Sequence, residues 1–284
     1  MYTTLISAQE LAAHIDEPAW VVLDCRHDLA DLAAGRAAFG AGHLPHAQFA
    51  DIETALSGSK RGADGQFLGR HPLPARDAFL DQLRAWGIND DSQVVAYDAQ
   101  GGMFAARLWW MLRWVGHAGV AVLDGGLASW QQAGLPLTTA AAETRRAGRL
   151  RDGAALGASV TLDEVLANLT SAARVVLDAR APDRFRGENE TMDPVGGHIP
   201  GARNRFFKDN LQADGRFKTP AALRAEFSEL ISTPQATISQ CGSGVTACHN
   251  LLAMEVAGLS GAALYPGSWS QWCADPGRPV ASGG

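Results

Sequence analysis

Short apolar runs punctuate the chain, and most of them stop at a polar residue or a glycine-rich turn. In the first half these runs are Val21-Val22-Leu23-Asp24-Cys25-Arg26, Gln93-Val94-Val95-Ala96-Tyr97 and Val120-Ala121-Val122-Leu123. In the second they are Val175-Val176-Leu177-Asp178-Ala179-Arg180, Ala236-Thr237-Ile238-Ser239 and Ala262-Ala263-Leu264-Tyr265. Runs this short and this apolar predict strands buried on both faces. Between them the spacing turns helical. Ser7-Ala8-Gln9-Glu10 and Thr161-Leu162-Asp163-Glu164 have the capping-box form that opens a helix. Phe104 to Trp114 predicts an apolar helix, another surrounds Trp130, and Leu251, Leu252, Met254, Glu255 and Val256 continue one that Gly258 ends. Strands alternating with helices predict an α/β fold, a mostly parallel sheet flanked by helices on both faces.

The pattern occurs twice, at an offset of about 154 residues. The capping box of Ser7 returns at Thr161, the strand ending in Asp24 and Arg26 returns with Asp178 and Arg180, and Gly42-His43-Leu44-Pro45 returns as Gly197-His198-Ile199-Pro200. Trp130, after Asp124-Gly125-Gly126, returns as Trp272 after Pro266-Gly267-Ser268. These landmarks predict tandem domains at 1–137 and 159–284. The stretch 138–158, which opens on Thr138-Thr139-Ala140-Ala141-Ala142-Glu143-Thr144 and has no clear buried face, reads as the linker.

Composition fits this picture and narrows it. A chain of 284 residues, 46% of them hydrophobic, supplies a core for each of two domains. Its formal charge of -6 leaves no basic stripe for nucleic acid, and no apolar run is long enough to span a bilayer. Neither nucleic acid nor membrane is expected as a partner. Met1-Tyr2-Thr3-Thr4-Leu5 lacks the charged-then-apolar order of a secretory signal, so a cytoplasmic location is expected. Cysteines stand at 25, 241, 248 and 273, with no metal-ligand spacing and no pairing pattern that suggests disulfides. They read as free thiols, Cys25 within a strand.

The chemistry is concentrated at Cys241-Gly242-Ser243-Gly244-Val245-Thr246-Ala247-Cys248. Cys241 follows a strand, and the glycine-rich turn after it runs into a helix. Glycines let backbone amides curl inward and a helix N-terminus carries partial positive charge, so a thiolate or another anion is stabilised there. Cysteine-dependent phosphatases need an arginine six positions after the nucleophile to grip phosphate, and here that position is Ala247. At the equivalent place in the first half stands Asp98, in Asp98-Ala99-Gln100-Gly101-Gly102. That half has no nucleophile, and reads as a decayed copy with a negative charge where an anion would bind.

The loop from Cys241 to Ala247 resembles the active-site loop of the rhodanese family, and its Cys-Gly-Ser-Gly-Val-Thr form is similar to that of 3-mercaptopyruvate sulfurtransferases. Thiosulfate sulfurtransferases more often carry basic residues after the cysteine. With the repeat, the resemblance covers nearly the whole chain and implies tandem rhodanese-like domains, the reactive cysteine in the second and close to the cleft between them. It implies a sulfurtransferase in which Cys241 takes a sulfane sulfur from a small-molecule donor as a persulfide and passes it to cyanide, a thiol or a small dithiol protein. No metal or organic cofactor is implied. The donor stays open between 3-mercaptopyruvate, favoured by the loop, and thiosulfate; a rival reading is a non-catalytic rhodanese-like interaction module.

The resemblance extends to single residues. Arg184 matches an arginine that holds the anionic end of the donor, and Gly242, Ser243, Gly244, Val245 and Thr246 form the sulfur cradle. His71, in Gly69-Arg70-His71-Pro72, matches a first-domain histidine that faces the cleft, with packing as its alternative. Asp51 and Glu53 stand where the family brings a carboxylate toward the loop, and by themselves read as exposed loop acids. His43 and His198 recur in both halves and are expected to fix the Gly-His-Xaa-Pro turn. One departure stands out: mercaptopyruvate enzymes carry a second arginine just before that turn, and Glu188 to Gly196 contains none. Arg203 and Arg205 are the nearby candidates to replace it.

Overall fold

The structure, a computed structural model, describes residues 1–142 and 144–284. It divides into two compact units, one of residues 1–58, 74–156 and 212–217, the other of residues 59–73, 157–211 and 218–284. Each therefore takes one short segment from the other half of the sequence. Two segments predicted by sequence order to follow their own half, 59–73 and 212–217, are thus exchanged.

The first unit runs β1 (Leu5–Ile6), α1 (Ala8–His14), β2 (Trp20–Asp24), α2 (Ala34–Ala41), β3 (Gln48–Phe49), α3 (Arg76–Ala85), β4 (Gln93–Tyr97), α4 (Ala105–Trp114), β5 (Val120–Leu123) and α5 (Gly126–Gln132). The second runs β6 (Ala158–Ser159), α6 (Leu162–Ser171), β7 (Val175–Asp178), α7 (Pro182–Arg186), β8 (Arg203–Asn204), α8 (Pro220–Ser228), β9 (Thr237–Gln240), α9 (Thr246–Val256), β10 (Ala263–Leu264) and α10 (Ser268–Trp272). Each sheet has five strands, ordered β1-β5-β4-β2-β3 and β6-β10-β9-β7-β8, with every pairing parallel. The two orders are the same order shifted by five strands. The repeat in the sequence is a repeat in topology.

The apolar runs form the buried central strands. β2, β4 and β5 are buried at every position, as is β9. A fully buried valine or leucine side chain contributes about 1.5–3 kcal/mol, which is why these runs and not the short edge strands were readable. The two capping boxes form as expected, Ser7 with Glu10 and Thr161 with Glu164. Trp130 and Trp272 are both buried, and each donates its indole N–H to a carbonyl beyond its helix, Pro136 at 2.8 Å and Pro279 at 2.9 Å.

The Asp-Xaa-Arg that begins at the last residue of β2 and of β7 ties each strand to its Gly-His-Xaa-Pro turn. Arg26 is paired with Asp24 and donates to the Gly42 carbonyl at 2.7 Å; Arg180 is paired with Asp178 and donates to the Gly197 carbonyl at 2.7 Å. His43 stacks on Phe39 and His198 on Phe185, each also bonded through Nδ1 to that residue's carbonyl oxygen. The recurrent histidines hold the turns in both units.

The stretch read as a linker is laid along the first unit as far as Leu156. Backbone and polar bonds fasten it: Gly148 N–H to the Arg84 carbonyl at 2.8 Å, Arg149 N–H to Asn89 at 2.9 Å, and Arg151 to Asp90 at 2.6 Å. Hydrophobic periodicity carries no trace of such bonds. Glu143, part of that stretch, lies outside the described residues.

Candidate functional site

β9 lies between β7 and β10 in its sheet, and its last residue, Gln240, sits beside Asp178 of β7. Cys241 follows at the carboxyl end of the strand, where sites of parallel sheets form, and is 2% exposed. Its Sγ accepts the amide of Gly244 at 3.1 Å and that of Ser243 at 3.4 Å. No side chain caps α9, which begins at Thr246, so nothing from the side chains competes for its first amides. Two amides of the loop thus point at the sulfur, just ahead of the N-terminus of α9.

The rest of the second unit fixes this turn. Gly244 has φ +78°, and a Cβ built there would lie 2.4 Å from the Pro266 carbonyl oxygen, so only glycine fits without displacement. The Ser268 hydroxyl accepts the Cys241 amide at 3.1 Å, and the amides of Trp269 and Ser270 donate to the carbonyls of Cys241 and Gly242, both at 2.9 Å. Val245 and Thr246 open α9, and neither amide is among those that reach Sγ.

His71 belongs to the second unit through the segment 59–73, and its Nδ1 is 2.8 Å from Ser243 Oγ, a buried contact. This is the contact that packing and function alike would use, and it reaches a hydroxyl of the loop itself. Glu53 belongs to the first unit, in the turn after Asp51, whose carboxylate accepts its amide at 2.8 Å.

Two guanidinium groups stand over Gly242. A Cβ built on that glycine would be 2.7 Å from Arg70 Nη2 and 3.6 Å from Arg184 Nη2. Arg184, on α7, lies beside the loop. Arg70 was missed, since nothing in Gly69-Arg70-His71 marks its direction. Arg203 and Arg205 do not supply the missing cation: Arg203 reaches the Leu230 carbonyl at 2.6 Å, and Arg205 is taken by Asn210 and by Glu226 at 2.6 Å.

The arginine-free stretch 188–196 provides carboxylates. Glu190 receives Arg184 at 2.8, 3.0 and 3.1 Å, and Asp193 receives Arg70 and also Arg184 at 3.3 Å. Arg180, stacked over the Trp269 ring at 4.6 Å, reaches Glu190 at 3.4 Å. Burial works against the Glu190 carboxylate, but hydrogen bonds from Arg184 and the Met192 amide outweigh it and hold the group below its ordinary value. Burial pushes the Asp193 carboxyl upward against the pull of Arg70. Burial also opposes the charge of Arg180, and the charges of Asp178, Glu190 and Cys241 restore and raise it.

The other cysteines lack this setting. Burial, with the charges of Asp98 and Asp24, raises the Cys25 thiol well above its ordinary value, and burial with Asp193 pushes Cys273 up to about 11. Cys248 donates to the Gly244 carbonyl at 3.3 Å. Among the described residues no group of His, Cys, Asp and Glu is placed to hold a metal ion, and no helix is long and apolar enough to cross a membrane.

The first unit answers with a filled loop. Asp98, fully buried after β4, accepts four backbone amides: Gln100 at 2.8 Å and Gly102 at 2.9 Å on one oxygen, Phe104 at 2.8 Å and Ala105 at 2.9 Å on the other. Burial raises its pKa against the pull of these four bonds.

Comparison with known proteins agrees with this architecture. Residues 7–133 and 161–275 each match the rhodanese-like domain. A Pseudomonas aeruginosa protein named "Probable 3-mercaptopyruvate sulfurtransferase" is 48% identical over 287 residues, covering 98% of both chains. The thiosulfate sulfurtransferase of Mus musculus is 36% identical over 284 residues, 96% of this chain and 92% of that one. Among solved structures, the crystal structure of SseA from Escherichia coli, titled for 3-mercaptopyruvate sulfotransferases, superposes with a TM-score of 0.81 at 33% identity, covering 95% of this chain and all of that one.

Proposed function

The chain belongs to the rhodanese family, and from that premise we propose that it is a sulfurtransferase whose donor is 3-mercaptopyruvate and whose carrier is Cys241. The observation that carries the reading is the seat of Cys241 Sγ on the amides of Gly244 and Ser243 at the carboxyl end of β9. In the first half-reaction the Cys241 thiolate attacks the donor's thiol sulfur. The bond from that sulfur to the methylene carbon breaks, its electron pair becomes the pyruvate enolate, and the thiol proton ends on that carbon. Cys241 is left as a persulfide. In the second half-reaction cyanide or a thiol, free or on a small dithiol protein, attacks the outer sulfur, the S–S bond breaks, and its electron pair returns to Cys241.

Arg184, Ser243 and His71 have parts in this proposal. Arg184 holds the donor carboxylate, a planar cation matched to a planar anion. Ser243, bonded to His71, passes the proton from sulfur toward carbon. A cytoplasmic setting, where the glutathione pool keeps thiols reduced, is part of the same proposal. The second reading is thiosulfate as donor, supported by relatives that bear that name. Kinetics with both donors on one preparation separate the two: 3-mercaptopyruvate is expected to have the higher kcat/KM, and a higher value for thiosulfate reverses the assignment.

A further inference from the structure

The donor site of this reading has one expected cation too few on the stretch 188–196, and a cation of unexplained purpose beside the loop. We propose that Arg70 is the second donor-binding cation, and that Asp193 holds it over Gly242 while setting the site's preference for a singly charged donor. The proposal rests on the sulfurtransferase reading and adds to it a residue and a rule of selectivity.

Four observations place Arg70. Its Nη2 lies 2.7 Å from where a Gly242 Cβ would be, on the residue that follows the reactive cysteine, with Arg184 Nη2 at 3.6 Å from the same point. Its backbone is tied to the loop's own support: the Arg70 amide donates to Ser270 Oγ at 3.1 Å, and the Ser270 amide donates to the Gly242 carbonyl. Gly69, at φ +113°, fits against Gly267 where a Cβ would come within 2.8 Å of the carbonyl oxygen, so the turn that presents Arg70 is specified. Finally, Arg70 Nε is buried and has no acceptor among the described residues. A guanidinium with one donor unspent beside a neighbouring guanidinium is suited to a carboxylate that bridges the two.

The carboxylates decide which anion gains most. Arg70, Arg180 and Arg184 face Asp178, Glu190 and Asp193, three positive charges against three negative. A donor with one carboxylate needs only local hydrogen bonds from the forks. A compact dianion approaching a thiolate needs net positive charge, and this cluster has none to offer. Glycine at 242 is required for the same arrangement, because any side chain there would displace Arg70.

Arg70→Gln and Arg70→Lys test the contact, and Asp193→Asn tests the rule. Steady-state rates would be taken with 3-mercaptopyruvate and with thiosulfate, cyanide as acceptor. Binding of 3-mercaptopyruvate would be followed by calorimetry in the Cys241→Ser background. Arg70→Gln should raise both KM and the dissociation constant for 3-mercaptopyruvate about tenfold or more, the worth of one charge-assisted hydrogen bond, with Arg70→Lys between it and the parent. Asp193→Asn should raise the ratio of kcat/KM for thiosulfate over 3-mercaptopyruvate several-fold. Arg203→Gln, remote in its bonding, should match the parent. Unchanged KM and dissociation constant in both Arg70 variants, with native circular dichroism, would remove Arg70 from the site. An unchanged donor ratio in Asp193→Asn would remove the selectivity rule. A parent protein that forms no persulfide with either donor would instead sink the sulfurtransferase reading.

Discussion

Asp98 and Cys241 occupy the same position in the two repeats, each directly after its central strand, and each accepts backbone amides of its own loop. The difference lies in how many. Asp98 takes four amides with its two oxygens, so the first loop is filled by its own side chain, whereas Cys241 Sγ takes two and leaves α9 without a side-chain cap. One geometry serves as a structural clasp in one unit and as an anion seat in the other.

Asp98 is therefore expected to matter for folding. Asp98→Ala leaves four buried amides without their acceptor, and Asp98→Asn puts an NH2 against two of them. A buried donor left unsatisfied costs about 1–3 kcal/mol, so both variants should unfold at distinctly lower denaturant concentration. The parent's stability should also respond to pH. Because the folded pKa is raised, the folded state binds the proton more tightly than the unfolded one; this contribution is present below the unfolded carboxylate pKa and is lost as pH rises through the folded value. Asp98→Ala should lose that component. Urea midpoints for parent and variant across acidic pH check both points, and equal midpoints would show that the clasp is dispensable.

The cysteines should separate by environment. Treatment with donor should add the mass of one sulfur to the parent and nothing to Cys241→Ser. At neutral pH an alkylating reagent should spare Cys25 and Cys273, whose thiols burial keeps protonated. Peptide mapping after limited alkylation reads this out, and labelling of Cys273 ahead of Cys241 would contradict it.

Much of this was legible in the chain because it rests on local rules. The central strands were readable from apolar runs, the helix starts from capping boxes, and the loop from glycines between a strand and a helix. β1, β3, β6 and β8 were not, since a two-residue strand outside any apolar run has no periodicity to read, whereas the equally short β10 lies within Ala262-Ala263-Leu264-Tyr265. Arg70 was hidden for a different reason. Its place beside Gly242 depends on the segment 59–73 joining the second unit, a pairing at long sequence distance that no local pattern encodes. Glu190 and Asp193 were visible as residues, but their role as partners of Arg184 and Arg70 exists only in the folded site.

Gly244 should tolerate no side chain. Its left-handed backbone costs a non-glycine residue roughly 1–2 kcal/mol, and the added Cβ would press on the Pro266 carbonyl at 2.4 Å. Relief requires moving the amide that meets Cys241 Sγ. Gly244→Ala should lower the rate of persulfide formation by at least tenfold while the far-ultraviolet spectrum stays native. Rapid-quench measurement of the first half-reaction is the check, and a parental rate would show that the amide seat is not needed.

The contact between His71 and Ser243 leads to a donor-dependent prediction. The sulfur of 3-mercaptopyruvate carries a proton that must leave before or as the carbon–sulfur bond breaks, and the enolate must gain one. The outer sulfur of thiosulfate carries no proton, and sulfite is a stable leaving group that needs none. In the proposed reaction a hydroxyl bonded to an imidazole at 2.8 Å serves the first task and has no part in the second. Ser243→Ala and His71→Ala should therefore lower kcat for 3-mercaptopyruvate about a hundredfold, the lower range for general acid–base assistance, and change thiosulfate turnover far less. The two substitutions should not be additive, since each removes the same relay. An equal loss with both donors would assign the pair to holding the loop in shape, and full 3-mercaptopyruvate activity in either variant would exclude it from proton transfer.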